Sequence, residues 1–346
     1  MKKKNILITG GAGFIGVNLT HYLLSDPNNN VIVYDNLSRK GVEHNLAWIQ
    51  SLKCKNLAFI KGDVRDYIKL KEVVEGIDEI YHLAAQVAVT SSVENPVDDF
   101  EINAFGTLCL LEAVRRKCLN AILVFSSTNK VYGELLHLEL QESNTRYAFT
   151  GDKKGISEQE NLDFHSPYGV SKGTADQYIR DYHRIYGTRS IVFRQSCIYG
   201  QHQYGNEDQG WVAHFIIKSL LGKKINIYGD GKQVRDLLEV RDLINAYMLA
   251  VKNIEKTQGE IYNAGGGIKN TLSLLELIFF LAETLKKEIE YELFPWRPGD
   301  QKIFVSDNTK LEKDLSWKPN RSAKDGIRNL IVWIKDNIEL IKNVST

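Results

Sequence analysis

Asn5-Ile-Leu-Ile-Thr-Gly-Gly-Ala-Gly-Phe-Ile-Gly16 is the stretch that decides the fold. Asn5–Thr9 reads as a short apolar strand, and the glycines after it open a helix predicted over Ile15–Leu24. Gly11, Gly13 and Gly16 have GxGxxG spacing, while Gly10, Gly13 and Gly16 have GxxGxxG spacing. Such a turn lets backbone approach a pyrophosphate, whose charge meets the helix N-terminus at Gly13, Phe14 and Ile15. Alone the signature is weak, but here it has its context. A second strand, Val31–Tyr34, ends at Asp35, nineteen residues after Gly16 and close to the ~20 expected of a ribose-binding acid. A carboxylate there accepts from both ribose hydroxyls and repels a 2′-phosphate, so NAD is expected rather than NADP; Arg39 nearby argues the other way. Asp63-Val64, after a third strand, either contacts the adenine or is an ordinary loop.

Working outward, Leu57–Ile60, Glu79–Leu83, Ala121–Phe125 and Ser190–Phe193 read as further short strands, and Phe100–Arg116 and Pro167–Tyr186 as helices. Alternation of this kind predicts a parallel sheet covered on both faces. The expected fold class is α/β: a Rossmann-type doubly wound parallel sheet with a smaller, interleaved C-terminal substrate lobe. The expected division is a dinucleotide-binding domain over 1–190 with a returning segment near 235–262, and the lobe over 191–234 and 263–346. The polar stretch Glu139–Asn161 reads as a long loop, and Gly229–Gly231, Gly265–Gly267 and Pro295, Pro298 and Gly299 as further loops.

The 346 residues are 43% hydrophobic and 25% charged, which excludes a disordered or collagen-like chain. Lys+Arg 44 against Asp+Glu 43 leave +1, so no global field favours nucleic acid or an anionic membrane, and an acidic ligand has to be caught locally. Cys54, Cys109, Cys118 and Cys197 show no CxxC spacing and no neighbouring His, so neither a metal site nor a disulfide framework is expected. The start, MKKKNILITGG, has a short apolar run broken by glycines and does not read as a secretory signal; no run approaches the roughly 18 apolar residues of a membrane helix. A cytoplasmic protein is expected.

Tyr168 and Lys172 are four apart on a predicted helix and project from one face. Ser166-Pro167 before them resembles an N-cap with proline at the first helical position. An ammonium beside a tyrosine stabilises its phenolate, which would lower its pKa toward that of a general base. Ser126-Ser127-Thr128 ends the fifth strand at the edge where open parallel sheets bind ligands, so Thr128 can share a substrate hydroxyl with Tyr168.

These residues resemble a family, the extended short-chain dehydrogenase/reductases that act as nucleotide-sugar epimerases and dehydratases. The resemblance runs through TGGAGFIG (Thr9–Gly16), YDNLS (Tyr34–Ser38), GDVRD (Gly62–Asp66), HLAAQ (His82–Gln86), Asn103, SSTNKVYG (Ser126–Gly133) and YGVSK (Tyr168–Lys172), and on through GDGKQVRDLLEVRDL (Gly229–Leu243) and RPGDQ (Arg297–Gln301). It implies a tightly bound NAD regenerated in each turnover. Asn36, Ser38, Arg39, Leu83, Ala84, Ala85, Gln86, Asn103 and Ser126 would line it, and Thr128, Tyr168 and Lys172 would carry the hydride chemistry. Arg235 and Arg297 would pair with the sugar-nucleotide diphosphate, for which a guanidinium fork is suited, and Gln86, Asn129 and Asp300 would face the sugar. It also implies a homodimer or tetramer, paired through helices that include Phe100–Arg116 and Pro167–Tyr186.

The reaction is narrowed by what this chain lacks. By resemblance, sugar 4,6-dehydratases carry Asp and Glu after the threonine, and related decarboxylases a Glu; here Asn129 and Lys130 stand there, and an amide and an ammonium cannot serve as that acid and base. What remains is oxidation of a carbinol, turning of the ketosugar and return of the hydride to the other face. Leu162–Tyr178, Phe193–Gly200 and Asp208–Phe215 resemble the branch of 2-epimerases that turn CDP-paratose into CDP-tyvelose, implying a CDP-linked 3,6-dideoxyhexose as substrate. Many C4-acting relatives have Asn where Cys197 stands and Pro at Gln201. The alternative is a UDP-sugar 4-epimerase or related oxidoreductase, and more remotely a non-catalytic NAD-binding regulator. Gln209 and Gln233 are candidates for the nucleotide; Trp211 and Phe215, four apart, either pack on a helix or stack on cytosine. His165 either touches substrate or is satisfied within its loop.

Overall fold

The computed structural model describes residues 3–297 and 299–345, so Met1, Lys2, Pro298 and Thr346 lie outside the description. Seven strands form the main sheet: β1 (Lys4–Thr9), β2 (Asn29–Asp35), β3 (Leu57–Lys61), β4 (Glu79–His82), β5 (Ile122–Thr128), β6 (Arg189–Gln195) and β7 (Ile261–Ala264). Their order is β7-β6-β5-β4-β1-β2-β3, and the β1–β2, β1–β4, β2–β3 and β4–β5 pairs are parallel. The chain therefore winds one way from β1 and then the other from β4. The glycine-rich turn leaves β1 at that reversal, where doubly wound sheets bind their ligands. Buried strand faces such as Leu7, Ile80, Leu123 and Val192 pack with Leu110 and Ile179 from the covering helices, which is why the strands are apolar throughout.

The molecule divides into two compact units: Met1–Thr128, Pro167–Arg194 and Ile244–Tyr262 form the first, and Asn129–Ser166, Gln195–Leu243 and Asn263–Thr346 the second. In the second unit, Val234–Glu239 pairs parallel with Cys197–Tyr199 and Ile303–Phe304 and antiparallel with Thr271–Ser273. A core built on Phe215, Ile216, Leu277, Leu281 and Ile331 draws together helices Trp211–Leu220, Leu274–Leu285 and Ala323–Asp336. The middle helix opens on a capping box between Ser273 and Glu276.

Three local expectations are corrected. The helix predicted over Phe100–Arg116 is two α-helices, Pro96–Phe100 and Gly106–Lys117, joined by a π-helical turn at Glu101–Phe105. The stretch read as a loop contains a hairpin, Leu140–Glu142 against Tyr147–Phe149. Ser166 has φ +67°, the left-handed region, and not the extended backbone of an N-cap.

Candidate active site

In the first unit the glycine turn is packed to the limit of the backbone. A Cβ on Gly16 would lie 2.3 Å from the Gly10 carbonyl oxygen, and one on Gly10, itself at φ +69°, 2.6 Å from the Ala84 nitrogen. Only glycine fits at either position. The helix Phe14–Leu24 starts with no side-chain cap at Gly13 and no acid in its first turn, leaving a positive helix end open to an anion. Asp35 closes the far side, its carboxylate accepting from the Ala12 and Leu37 amides at 3.1 and 2.9 Å. Burial still pushes its pKa up. A glycine cradle that any Cβ would fill, an uncapped helix N-terminus and a carboxylate at the end of β2 suit a dinucleotide.

Around that cradle the predicted residues take distinct positions. Asn36 donates to Asp63 at 2.9 Å, and Arg65 grips the same carboxylate through Nε and Nη2, both at 2.9 Å, which holds Asp63 down to about 2. Val64 is buried, while Ser38 is exposed and Arg39 half-buried. The Leu83 amide donates to Thr9 at 3.0 Å, seating the Leu83–Gln86 loop beside the turn. The Gln86 side chain bonds both the amide and the carbonyl of Ala88, while its backbone is clamped by buried Asn103, at 3.0 and 3.1 Å. Asn103 also reaches Asp99 and Ser171, tying the loop to helix Ser166–Tyr186.

Thr128 ends β5 and hydrogen-bonds the Tyr168 phenol; both are buried. The Lys172 ammonium donates to the Ser126 carbonyl at 2.6 Å and lies 4.2 Å from the centre of the Phe125 ring. The expectation that Lys172 lowers the tyrosine's pKa is corrected: burial pushes Tyr168 up to about 12, with the Thr128 bond pulling the other way, and burial pushes Lys172 down to about 7 against the fields of Asp176 and Asp99. Desolvation outweighs mutual support because both groups are sealed from water. Sequence reading missed Asp176, one turn beyond Lys172. It pairs with buried Arg194 through two bonds of 3.0 and 2.9 Å and accepts from Ser127 at 2.7 Å. Its i+4 spacing from Lys172 was the available signal.

The second unit holds the remaining candidates. Asn129 donates to Gln301 at 3.1 Å. Asp300 lies 3.5 Å from both Lys130 and Arg235. Arg297 is elsewhere, stacked 3.7 Å from the Tyr228 ring centre and 3.3 Å from Asp208. Gln233 is buried and donates to the Tyr228 carbonyl at 2.6 Å; the Gln209 amide bonds Asn206. Trp211 and Phe215 pack edge to face at 5.7 Å on their helix, and the Trp211 indole donates to Cys197 at 3.4 Å. His165 meets Glu134 at 3.2 Å. Glu134, Leu138, Tyr147, Trp296, Arg297 and Asp300 help line a cleft of about 650 Å³.

Residues 7–330 match the family model described as GDP-mannose 4,6 dehydratase. The chain belongs to this family of extended short-chain dehydrogenase/reductases. It is 45% identical over 335 residues, 95% of this chain and 98% of the other, to a CDP-paratose 2-epimerase of Salmonella typhi. A UDP-glucuronic acid 4-epimerase of Bacillus cereus, solved with UDP-glucuronic acid and NAD, superposes with a TM-score of 0.83 at 29% identity, covering 96% of this chain and 99% of that one. A dTDP-glucose 4,6-dehydratase of Streptomyces venezuelae, solved with NAD, gives 0.85 at 29% identity, covering 99% and 100%. The family is NAD-dependent and works on nucleotide sugars. Among the described residues no helix is long and apolar enough to cross a membrane.

Proposed function

We propose that this chain is an NAD-dependent nucleotide-sugar epimerase that inverts C2 of a CDP-linked 3,6-dideoxyhexose, converting CDP-paratose to CDP-tyvelose. The observation that carries this reading is the full-length 45% identity to a CDP-paratose 2-epimerase. It is supported by Asn129 and Lys130, which cannot supply the acid and base that loss of water requires.

Gly10, Gly13, Gly16 and the open helix end at Phe14 and Ile15 would hold the pyrophosphate of NAD, and Asp35 its ribose. The chemistry NAD supplies when bound is reversible hydride acceptance. Tyr168 is the group that takes the carbinol proton and gives it back. Burial favours its phenol and the Thr128 bond its phenolate, so it can hold the proton in either direction of the reaction. Lys172, anchored on Ser126, fixes the helix face that carries Tyr168. Arg235 and Arg297 of the second unit would take the diphosphate. Val97, Phe100 and Phe105 on one helical stretch, and Val170, Tyr178 and Ile185 on another, expose apolar side chains and supply a surface for homodimerisation. The free thiols of Cys54, Cys109, Cys118 and Cys197 suit a reducing, cytoplasmic setting.

Proton NMR of CDP-paratose mixed with the purified protein, with no NAD added, tests the reading. Appearance of CDP-tyvelose is the expected result. An unchanged spectrum, even with NAD supplied, would overturn it and favour a UDP-sugar 4-epimerase, the reading the Bacillus cereus structure supports; turnover of UDP-glucose would then decide.

A further inference from the structure

Lys130 is a half-buried ammonium two residues past Thr128, where the dehydratases that this chain resembles carry a carboxylate. Its Nζ donates to the Gly299 carbonyl at 2.9 Å and lies 3.5 Å from Asp300 Oδ1. The same oxygen lies 3.5 Å from Arg235 Nη2, whose other arm donates to the Val234 carbonyl at 2.8 Å. Both contacts are longer than the 2.7–2.9 Å of a settled charge-assisted bond. Cys197 borders the cluster, and burial pushes its thiol up, keeping it neutral. Two cations thus share one carboxylate oxygen, and burial pushes the Lys130 pKa down. An anion arriving here would be stabilised by both cations in a medium of low dielectric.

The position of that anion bears on which carbon reacts. In a glycosyl diphosphate the phosphate hangs from C1. C2 is the next ring atom, whereas C4 lies across the ring. An enzyme working at C2 therefore has to tolerate a phosphate close beside the reacting carbon. Thr128 and Lys130 are two positions apart in the chain, a step that spans at most about 7 Å. A carboxylate at position 130 would repel the phosphate; an ammonium attracts it.

We infer that Lys130, with Arg235, binds the sugar-side phosphate of the substrate and so selects C2 for reaction. This rests on the 2-epimerase reading for the carbon concerned; the phosphate contact itself is tested with nucleotides alone. CDP carries the phosphate that CMP lacks. Calorimetric titration of the NAD-loaded protein should show K130Q binding CDP at least about tenfold more weakly, the worth of one charge-assisted bond, with CMP binding changed less than about twofold. K130R should keep the preference for CDP over CMP, and for K130Q the loss with CDP-paratose should fall mainly on KM. Equal losses for CDP and CMP, or no loss for CDP, would overturn the proposal. Should K130Q lose its NAD or its thermal transition, K130R carries the test, and disappearance of its CDP preference overturns the proposal equally. An inactive wild type on CDP-paratose sinks the 2-epimerase reading instead, whatever the nucleotide titrations show.

Discussion

Lys172 in the first unit, buried, and Lys130 in the second, half-buried, are both ammonium groups donating to a backbone carbonyl, Ser126 at 2.6 Å and Gly299 at 2.9 Å. Their company differs. Lys172 feels two carboxylates, Asp176 and Asp99, and the Phe125 ring lies beneath it. Asp176 is in turn held by Arg194, Ser127 and Gln177. Lys130 shares the Asp300 carboxylate with Arg235. The first environment is balanced from within the protein, as suits residues that act on every substrate of this chemistry. The second is left positive and is completed by what binds. A group that performs a step common to a family can be neutralised within the protein; one that recognises a charged ligand needs surplus charge of the opposite sign.

The sharpest way to break this comparison is at the tyrosine. Y168F should lower kcat by 10²- to 10⁴-fold, the usual worth of a general base, while NAD content stays at wild-type level. Retained turnover by NMR would remove Tyr168 from the chemistry. The wiring around Lys172 is tested next. D176A leaves the Arg194 guanidinium buried without its partner and should cost about 3–5 kcal/mol of unfolding free energy, read from urea denaturation. A loss below 1 kcal/mol would show that the pair does not hold the first unit together.

Lys172 also predicts a pH dependence. Its folded pKa, near 7, lies below the unfolded value of 10.5. Between those limits the unfolded chain binds the extra proton, so stability rises with pH over that window and is lost as pH falls through about 7. Relative to K172M, the wild type should gain a few kcal/mol between pH 7 and 10. Parallel curves for the two proteins would refute the shift. The smallest expected effect lies in the second unit. Asp208 holds Arg297 at 3.3 Å, so D208N should lower KM about two- to fivefold by releasing the guanidinium, and R297A should raise it. KM moving the same way in both variants would exclude Arg297 from the substrate's charge.

How much of this was legible in sequence follows the range of the forces involved. β1, the glycine turn and Asp35 were readable because strand, turn and helix start sit within twelve residues and glycine is the only residue that fits Gly10 and Gly16. Tyr168 and Lys172 were readable as a helical i, i+4 pair. Their pKa values were not, because desolvation depends on what the whole fold buries around them. The hairpin at Leu140 escaped because three-residue strands carry almost no periodicity. The π-helical turn at Glu101–Phe105 escaped because one extra residue in a turn leaves the surrounding apolar spacing intact. The cluster joins Lys130 to Arg235 and Asp300, each more than 100 positions further along the chain, which no local pattern connects.

The interleaving of the two units sets the order in which the protein can come into being. The chain passes from one to the other after Thr128, Ser166, Arg194, Leu243 and Tyr262. A ribosome making it from the N-terminus cannot release a finished first unit until residue 262 has emerged, and the second waits for the helices near the C-terminus. The two must therefore mature almost together, and an early stop after Ser166, Arg194 or Leu243 leaves both cores unfinished with apolar strands exposed, the kind of species that aggregates.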